Sequence, residues 1–344
     1  MDVTIWDQSD AFQRLEQPWK RLFDDCPDAP VFLSWEWTST WWTHFHGDCQ
    51  PHIMTFNEGD ELVAVVPLMV DTGGAPTIRF MGSSETTDYA DILAADGHST
   101  RAAEALVECL REAAEQVPLV LEPIPEESPL LKVVRDSPDA DAETTKLEPC
   151  PTATLADSWE GYLATLSKTD RHELRRKMRR ADSAGNLHVE VFTESESLAA
   201  ALPSFYHLHR SSGNVRKAQF LEPRIQAFFS DVALALAERQ WVRLAMLYLD
   251  DREIASVLSF DRGSTVGLYN SGYDAEFRPM SPGIVVIALE LKAAIERGRS
   301  TYDFLRGDEP YKYDFGAHDR FVWRVNFGIA ARASLQPDAV GSRE

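Results

Sequence analysis

The 344 residues predict an α/β chain (α+β in the order of its elements) in which one unit is used twice, each copy a mixed sheet covered by helices. Two observations carry this. The apolar-rich runs His52–Phe56 and Glu61–Val70 are joined by Asn57-Glu58-Gly59-Asp60, and Val242–Leu249 and Glu253–Phe260 repeat that design around Asp250-Asp251-Arg252. Polar turn residues between two such runs mark a β-hairpin. Each hairpin is then followed by a strand, a helix and a second strand, the pattern of a sheet covered by helices.

The first copy continues with a strand at Thr77–Met81, a helix at Thr100–Gln116 and a strand at Pro118–Glu122. The second continues with Thr265–Tyr269, Gly283–Arg297 and Thr301–Leu305. Between them, Glu122–Pro151 holds six prolines and the acidic stretch Asp136–Asp141, and reads as an exposed connection with one short helix at Pro129–Arg135. Domains of 1–150 and 151–335 follow. Asp157 is the expected N-cap of a helix through Ser158–Leu166, and Ser334–Glu344 has no periodicity and reads as a frayed end.

Asp and Glu number 55 against 34 Lys and Arg, a net charge of −21, and only eight of the bases are lysine. Such an excess excludes nucleic-acid affinity spread over the surface, so a polyanion must meet a local basic patch. An acid-rich, lysine-poor surface is compatible with a salt-rich cytoplasm, where counterions screen self-repulsion. Cys26, Cys49, Cys109 and Cys150 have neither a C-x-x-C pair nor a metal-ligand spacing and read as free thiols. The acidic N-terminus lacks the features of a secretory signal, and the apolar runs fall far short of the ~20 residues that span a bilayer. A cytoplasmic location is expected.

Four segments have the residue types that chemistry needs. Arg278-Pro-Met-Ser-Pro-Gly283 lies between a strand and a helix, where unpaired N–H groups and the helix dipole favour an anion such as pyrophosphate. The same residues also read as a plain Pro-Gly helix start. Asp303-Phe-Leu-Arg-Gly-Asp-Glu-Pro-Tyr-Lys312 leaves the last strand of the second copy, where α/β sheets place ligands. Asp308 or Glu309 is a candidate general base, Tyr311 a candidate acid, and Lys312 a partner for phosphate or carboxylate; the alternative is a solvated acidic turn. Lys168–Arg180 carries seven bases against two acids, with Leu174, Met178 and Ala181 on one face, and reads as an amphipathic helix with a cationic outer side. Lys168, Arg171 and Arg175 are its candidate anion-binding residues; a merely solvated face is the bland reading. Phe32–Phe45 holds four of nine tryptophans and reads as core packing ahead of a stacking platform. His207 and His209 do not share a helical face, so metal binding is not expected.

Taken together, Phe32-Leu-Ser-Trp-Glu-Trp, Leu166-Ser-Lys with Arg171 and Leu174-Arg-Arg-Lys, Ser281-Pro-Gly283, and Asp303–Lys312 resemble the CelD-like acetyltransferases of the GNAT superfamily. That family is associated with cellulose and exopolysaccharide production and related to the Fem peptidyltransferases. The resemblance runs from about residue 30 to 330 and implies tandem GNAT-like domains, the first degenerate, using acetyl-CoA or another acyl-CoA without a metal. Arg278-x-x-Ser281-x-Gly283 resembles the acyl-CoA pyrophosphate loop, with Ser281 where glycine is commoner. Tyr311-Lys312 with Phe315-Gly316 resembles an element of the Fem group. The first copy has no counterpart of the loop, so only the second is expected to hold cofactor.

The implied mechanism is direct acyl transfer from a thioester to an amine or hydroxyl of a small-molecule or saccharide acceptor. Backbone N–H groups of Ser281, Gly283 and Ile284, beside Pro282 and Arg278, hold the pyrophosphate, and a strand N–H near Tyr269, Asn270 and Ser271 polarises the thioester carbonyl. Asp308 or Glu309 takes the acceptor's proton, Tyr311 protonates the leaving thiolate, and Lys312 and Arg306 orient acceptor or phosphate. A Fem-like transferase using aminoacyl-tRNA and a noncatalytic module of a polysaccharide system are the alternatives.

Overall fold

A computed structural model describes residues 1–82, 86–137, 141–212 and 222–328. It divides into two units, Met1–Glu148 with Phe321–Glu344, and Pro149–Arg320. The tail from residue 321 thus counts with the first unit, where the sequence reading placed it in the second; Ser334–Glu344 lies outside the described residues.

The first unit contains β1 (Asp2–Trp6), α1 (Ala11–Asp24), α2 (Trp35–Phe45), β2 (Gln50–Glu58), β3 (Glu61–Asp71), β4 (Thr77–Phe80), β5 (Leu93–Ala94), α3 (Ser99–Ala114), β6 (Leu119–Pro125) and α4 (Pro129–Asp136). Its strands run in the order β1-β2-β3-β4-β6 and then β13 (His318–Phe327). Among the described residues of this unit only β4 and β6 pair in parallel, because α3 carries the chain across the sheet between them. Val63, Leu68, Leu106, Leu110, Leu121 and Phe327 meet in its core.

The second unit repeats the design. β7 (Ala142–Thr154) enters from the first unit, followed by α5 (Trp159–Thr165), α6 (Lys168–Asp182), β8 (Leu187–Phe192), α7 (Ser195–Ser211), α8 (Pro223–Ala237), β9 (Val242–Leu249), β10 (Arg252–Arg262), β11 (Thr265–Tyr273), α9 (Pro282–Glu296), β12 (Thr301–Asp303) and α10 (Pro310–Asp314). The order is β7-β12-β11-β10-β9-β8, with β11 and β12 as the parallel pair spanned by α9. Val257, Leu268, Val286, Leu291, Tyr302 and Phe304 form the core under α9. At the far end of α9, Asp261 accepts from Arg297 Nε at 2.9 Å and Arg299 Nε at 2.6 Å, which ties the helix exit to β10.

Two expectations need correcting. The connection assigned to Glu122–Pro151 contains most of β7, whose alternating exposed residues hide its strand character, and Pro149 and Pro151 sit in it without ending it. The N-cap of α5 is Ser158, not Asp157: its Oγ accepts from Gly161 N at 3.1 Å. Residues 138–140 of the acidic stretch lie outside the described residues.

Candidate active site

The parallel pair of the second unit opens into a wedge. β12 pairs with β11 only from Thr265/Thr301 to Gly267/Asp303, while β11 continues to Tyr273. Beyond Asp303 the chain follows β7: Phe304 N donates to Pro151 O at 2.9 Å and Gly307 N to Pro149 O at 3.0 Å. A bulge lies on the other edge of β11, where Leu258 pairs with Asn270 and Ser259 with Leu268, leaving Tyr269 as the extra residue. An extra residue reverses the alternation of side chains. Leu268 therefore faces the core, the Tyr269 ring packs on Phe229 and Phe260, and Asn270 Oδ1 lies 2.8 Å from His209 Nε2. Ser271 and Tyr273 turn to the opposite face, toward the start of α9.

That start is built by a 3-10 turn, Ala275–Met280, capped by the Asp274 carboxylate, which accepts from Glu276 N at 2.9 Å. The turn ends in Ser281 at φ 56°, ψ 48°, a left-handed conformation, and Pro282 opens the helix where its missing N–H costs nothing. Ser281 O accepts from Ile284 N and Val285 N. A Cβ at Gly283 would lie 3.2 Å from Tyr273 Cδ1, so the ring rests directly on the first helical turn. Around this contact lies a cavity of about 350 Å³, bounded by Ser271, Tyr273, the Ser281–Ile284 turn, Ile287 and Tyr311, with Arg278 at its rim. Arg180, from the end of α6, places Nη2 3.5 Å from Ser281 Oγ. The cavity thus has apolar and aromatic walls and one cationic end at the start of a helix, a combination suited to a slender ligand carrying phosphate.

The strand-exit segment divides between cavity and scaffold. Tyr311 lines the cavity, and burial, with a smaller contribution from Glu309, pushes its phenol well above the usual tyrosine range, so it keeps its proton. Lys312 is only 2% exposed, and its Nζ donates to Leu305 O at 3.1 Å, Arg306 O at 2.9 Å and Gly307 O at 3.0 Å, and pairs with Glu309 at 2.9 Å. This corrects its expected role. A buried ammonium needs every acceptor it can find, and here three carbonyls of a turn with Leu305 at φ 54° and Gly307 at φ 112° converge on it, so Lys312 holds a loop and no substrate. Glu309 is committed to Lys312, and Asp308 is exposed; neither lines the cavity, which removes both from the expected position of the base. Arg306 contributes its carbonyl to Lys312.

The basic segment is α6, as expected, with Leu174 and Ala181 buried and Met178 packed on the core. Ser167 caps it, accepting from Asp170 N at 3.1 Å. Lys168, Arg171 and Arg175 lie along an open groove and not in the cavity. Reading residues singly missed Tyr273, Ile287 and Arg180, whose only signal is spacing: Tyr273 is two past Ser271 on one strand face, and Ile287 one turn past Gly283.

In the first unit the tryptophans are structural. Trp37 and Trp41 are buried, Trp35 Nε1 donates to Phe12 O at 3.0 Å, and Trp42 packs on Phe12. Among the described residues no helix is long and apolar enough to cross a membrane.

With the wedge, the helix start and the buried tyrosine in one place, the comparison with known proteins is informative. Residues 168–313 match the acetyltransferase (GNAT) domain. The matched segment spans α6 to α10 and contains every residue lining the cavity. No curated protein matches the chain by sequence. Among solved structures, FemX aligns with a TM-score of 0.62 at 14% identity, covering 95% of this chain and 97% of that one. The C-terminal domain (DUF2156) of a putative lysylphosphatidylglycerol synthetase from Agrobacterium fabrum gives 0.61 at 15% identity, covering 92% and 93%. L-PGS from Bacillus licheniformis gives 0.52 at 11%, covering 80% and 83%. At such identities the likeness is one of fold, and it agrees with the predicted mixed sheets flanked by helices.

Proposed function

We propose that the GNAT domain transfers an acyl group, acetyl being the simplest, from a pantetheine thioester such as acyl-CoA to an amine or hydroxyl. The observation that carries this is the cavity at the start of α9, where Gly283 lets Tyr273 close one wall and Tyr311 the other. The thioester supplies an activated acyl carbon and a good leaving sulfur. The Gly283 N–H at the positive end of the α9 dipole, with Arg278 and Arg180, binds phosphate. Tyr273 and Ile287 exclude water from the arm. β11 runs on past its last pairing with β12, and there an N–H of Tyr269–Ser271 polarises the acyl carbonyl.

Tyr311 Oη, protonated at neutral pH, gives its proton to the sulfur as the C–S bond breaks and the bond to the acceptor forms. The acceptor's proton then restores the phenol directly or through solvent, since among the described residues no carboxylate lines the cavity. The resemblance to CelD-like proteins favours an acceptor related to the cell envelope or an exopolysaccharide. Transfer from aminoacyl-tRNA is the weaker reading, because a chain of net charge −21 repels so large a polyanion. Replacing Tyr311 with Phe should lower kcat by about 10- to 100-fold with little change in the Kd for acetyl-CoA. Wild-type kcat in that variant takes the proton-donor role from Tyr311. Absence of acetyl-CoA binding in calorimetry overturns the reading as a whole.

A further inference from the structure

Arginines of the second unit commonly sit on carboxylates: Arg176 on Glu173, Arg252 on Asp274 and Glu276, Arg297 and Arg299 on Asp261. The outer face of α6 departs from this. Among the described residues Lys168, Arg171 and Arg179 meet no carboxylate; Arg171 donates to Leu163 O and Ala164 O, and Arg179 to Arg175 O. Arg175 pairs with the exposed Glu160. Spacings of three, four and four residues put Lys168, Arg171, Arg175 and Arg179 on one side of the helix over about 16 Å. They line an open groove of about 1020 Å³. The next residue, Arg180, is the one that touches Ser281 at the rim of the cavity. On a chain of net charge −21, this strip is a path along which an anion is not repelled, and it ends at the mouth of the proposed acyl site.

We propose that α6 docks a small acidic carrier protein, whose phosphopantetheine arm delivers the acyl group into the cavity. The inference rests on reading the cavity as a pantetheine-thioester site and names the form of the donor. CoA and a carrier present the same arm and the same phosphate to Arg180, Arg278 and the start of α9; they differ in what lies beyond that phosphate. Beyond that phosphate CoA has two more, and four cations spread over about 16 Å exceed what two phosphates engage, since a single guanidinium fork already matches a phosphate. They do match carboxylates at three- and four-residue spacing on a partner helix. No Phe, Tyr or Trp stands in α6 to stack a nucleobase, which disfavours single-stranded RNA. Leu174 and Ala181 are buried in the core and Met178 is the one apolar residue among those lining the groove, which disfavours a lipid surface.

The test compares the Kd of the acetylated acyl carrier protein of the same organism with that of acetyl-CoA, for the wild type and for Lys168→Glu/Arg179→Glu. Both side chains are exposed and outside any ion pair, so the fold is expected to survive, and circular dichroism checks it. Arg171→Glu/Arg175→Glu is the second variant. Carrier affinity should fall by about tenfold or more in each and weaken with salt, while the Kd for acetyl-CoA changes less than about twofold. Unchanged carrier affinity in both variants overturns the proposal, as does a wild type that binds acetyl-CoA and no carrier. Strip-dependent binding of mixed-sequence RNA or anionic phospholipid vesicles in place of the carrier also overturns it. A wild type that binds neither donor overturns the cavity reading first, and this inference with it.

Discussion

The two units share a hairpin, a third strand, a crossover helix and a parallel strand in the same order, yet they treat the passage from the third strand to the crossover helix in opposite ways. In the first unit, the chain between β4 and α3 folds back on the sheet. β5 pairs with β3, Trp37 Nε1 donates to Thr87 Oγ1 at 3.1 Å, and Asp91 accepts from Ser128 Oγ at 2.7 Å and Ile92 N at 2.8 Å. A Cβ on Gly82 would lie 2.6 Å from Thr87 Oγ1, so the Thr87 side chain packs directly on the backbone that leaves β4. In the second unit a 3-10 turn runs straight into Ser281 and α9, and Gly283 borders an open cavity. A shared topology supplies the helix end; whether it becomes a site depends on what the connection does with the space in front of it.

The largest effect is expected at the strand exit that this difference leaves exposed. Lys312→Met should destabilise the chain by about 3 kcal/mol, because Leu305, Arg306 and Gly307 lose the shared donor of their carbonyls. Urea unfolding measures it, and a loss under about 1 kcal/mol would show that the loop holds itself. Next comes the cavity. Gly283→Val should drive a branched side chain into the Tyr273 ring and weaken acetyl-CoA binding by about 100-fold, some 2.7 kcal/mol, with stability nearly intact. Affinity equal to wild type would move the donor elsewhere.

The smallest effect concerns the filled junction. Burial raises the Asp91 carboxyl to about 7, against about 3.9 in an unfolded chain. A carboxyl whose folded pKa is raised keeps its proton longer in the native state, so its contribution is full below about pH 4 and is lost as the pH rises through about 7. Within that window the slope is up to about 1.4 kcal/mol per pH unit. Asp91→Asn should flatten the wild-type decline in stability between pH 5 and 7; identical pH profiles would mean that Asp91 is ionised throughout.

Much of this was legible in the residues. The paired hairpins, the helix at Lys168–Asp182, the Pro-Gly start of α9 and the core role of Trp37 and Trp41 follow from periodicity, charge and turn chemistry, which act within a few residues. β7 was not legible, because its exposed alternation and prolines resemble a linker until Thr152–Thr154 pair with β12. Lys312 was not either: an ionisable residue next to Asp308 and Glu309 reads as chemistry, and only the left-handed turn at Leu305 shows that it is enclosed.

By itself, then, the sequence determined the α/β class, the repeat, the cationic α6 and the Pro-Gly start of α9, since each depends on residue type and local spacing. The tertiary structure alone decided which tyrosine faces the cavity and which lysine is buried. It decided that Arg180 meets Ser281, 101 positions away, and that β13 completes the sheet of the first unit. The physical reason is common to all of them: burial and long-range pairing arise only when distant segments share one volume, and no residue's identity states where that volume lies.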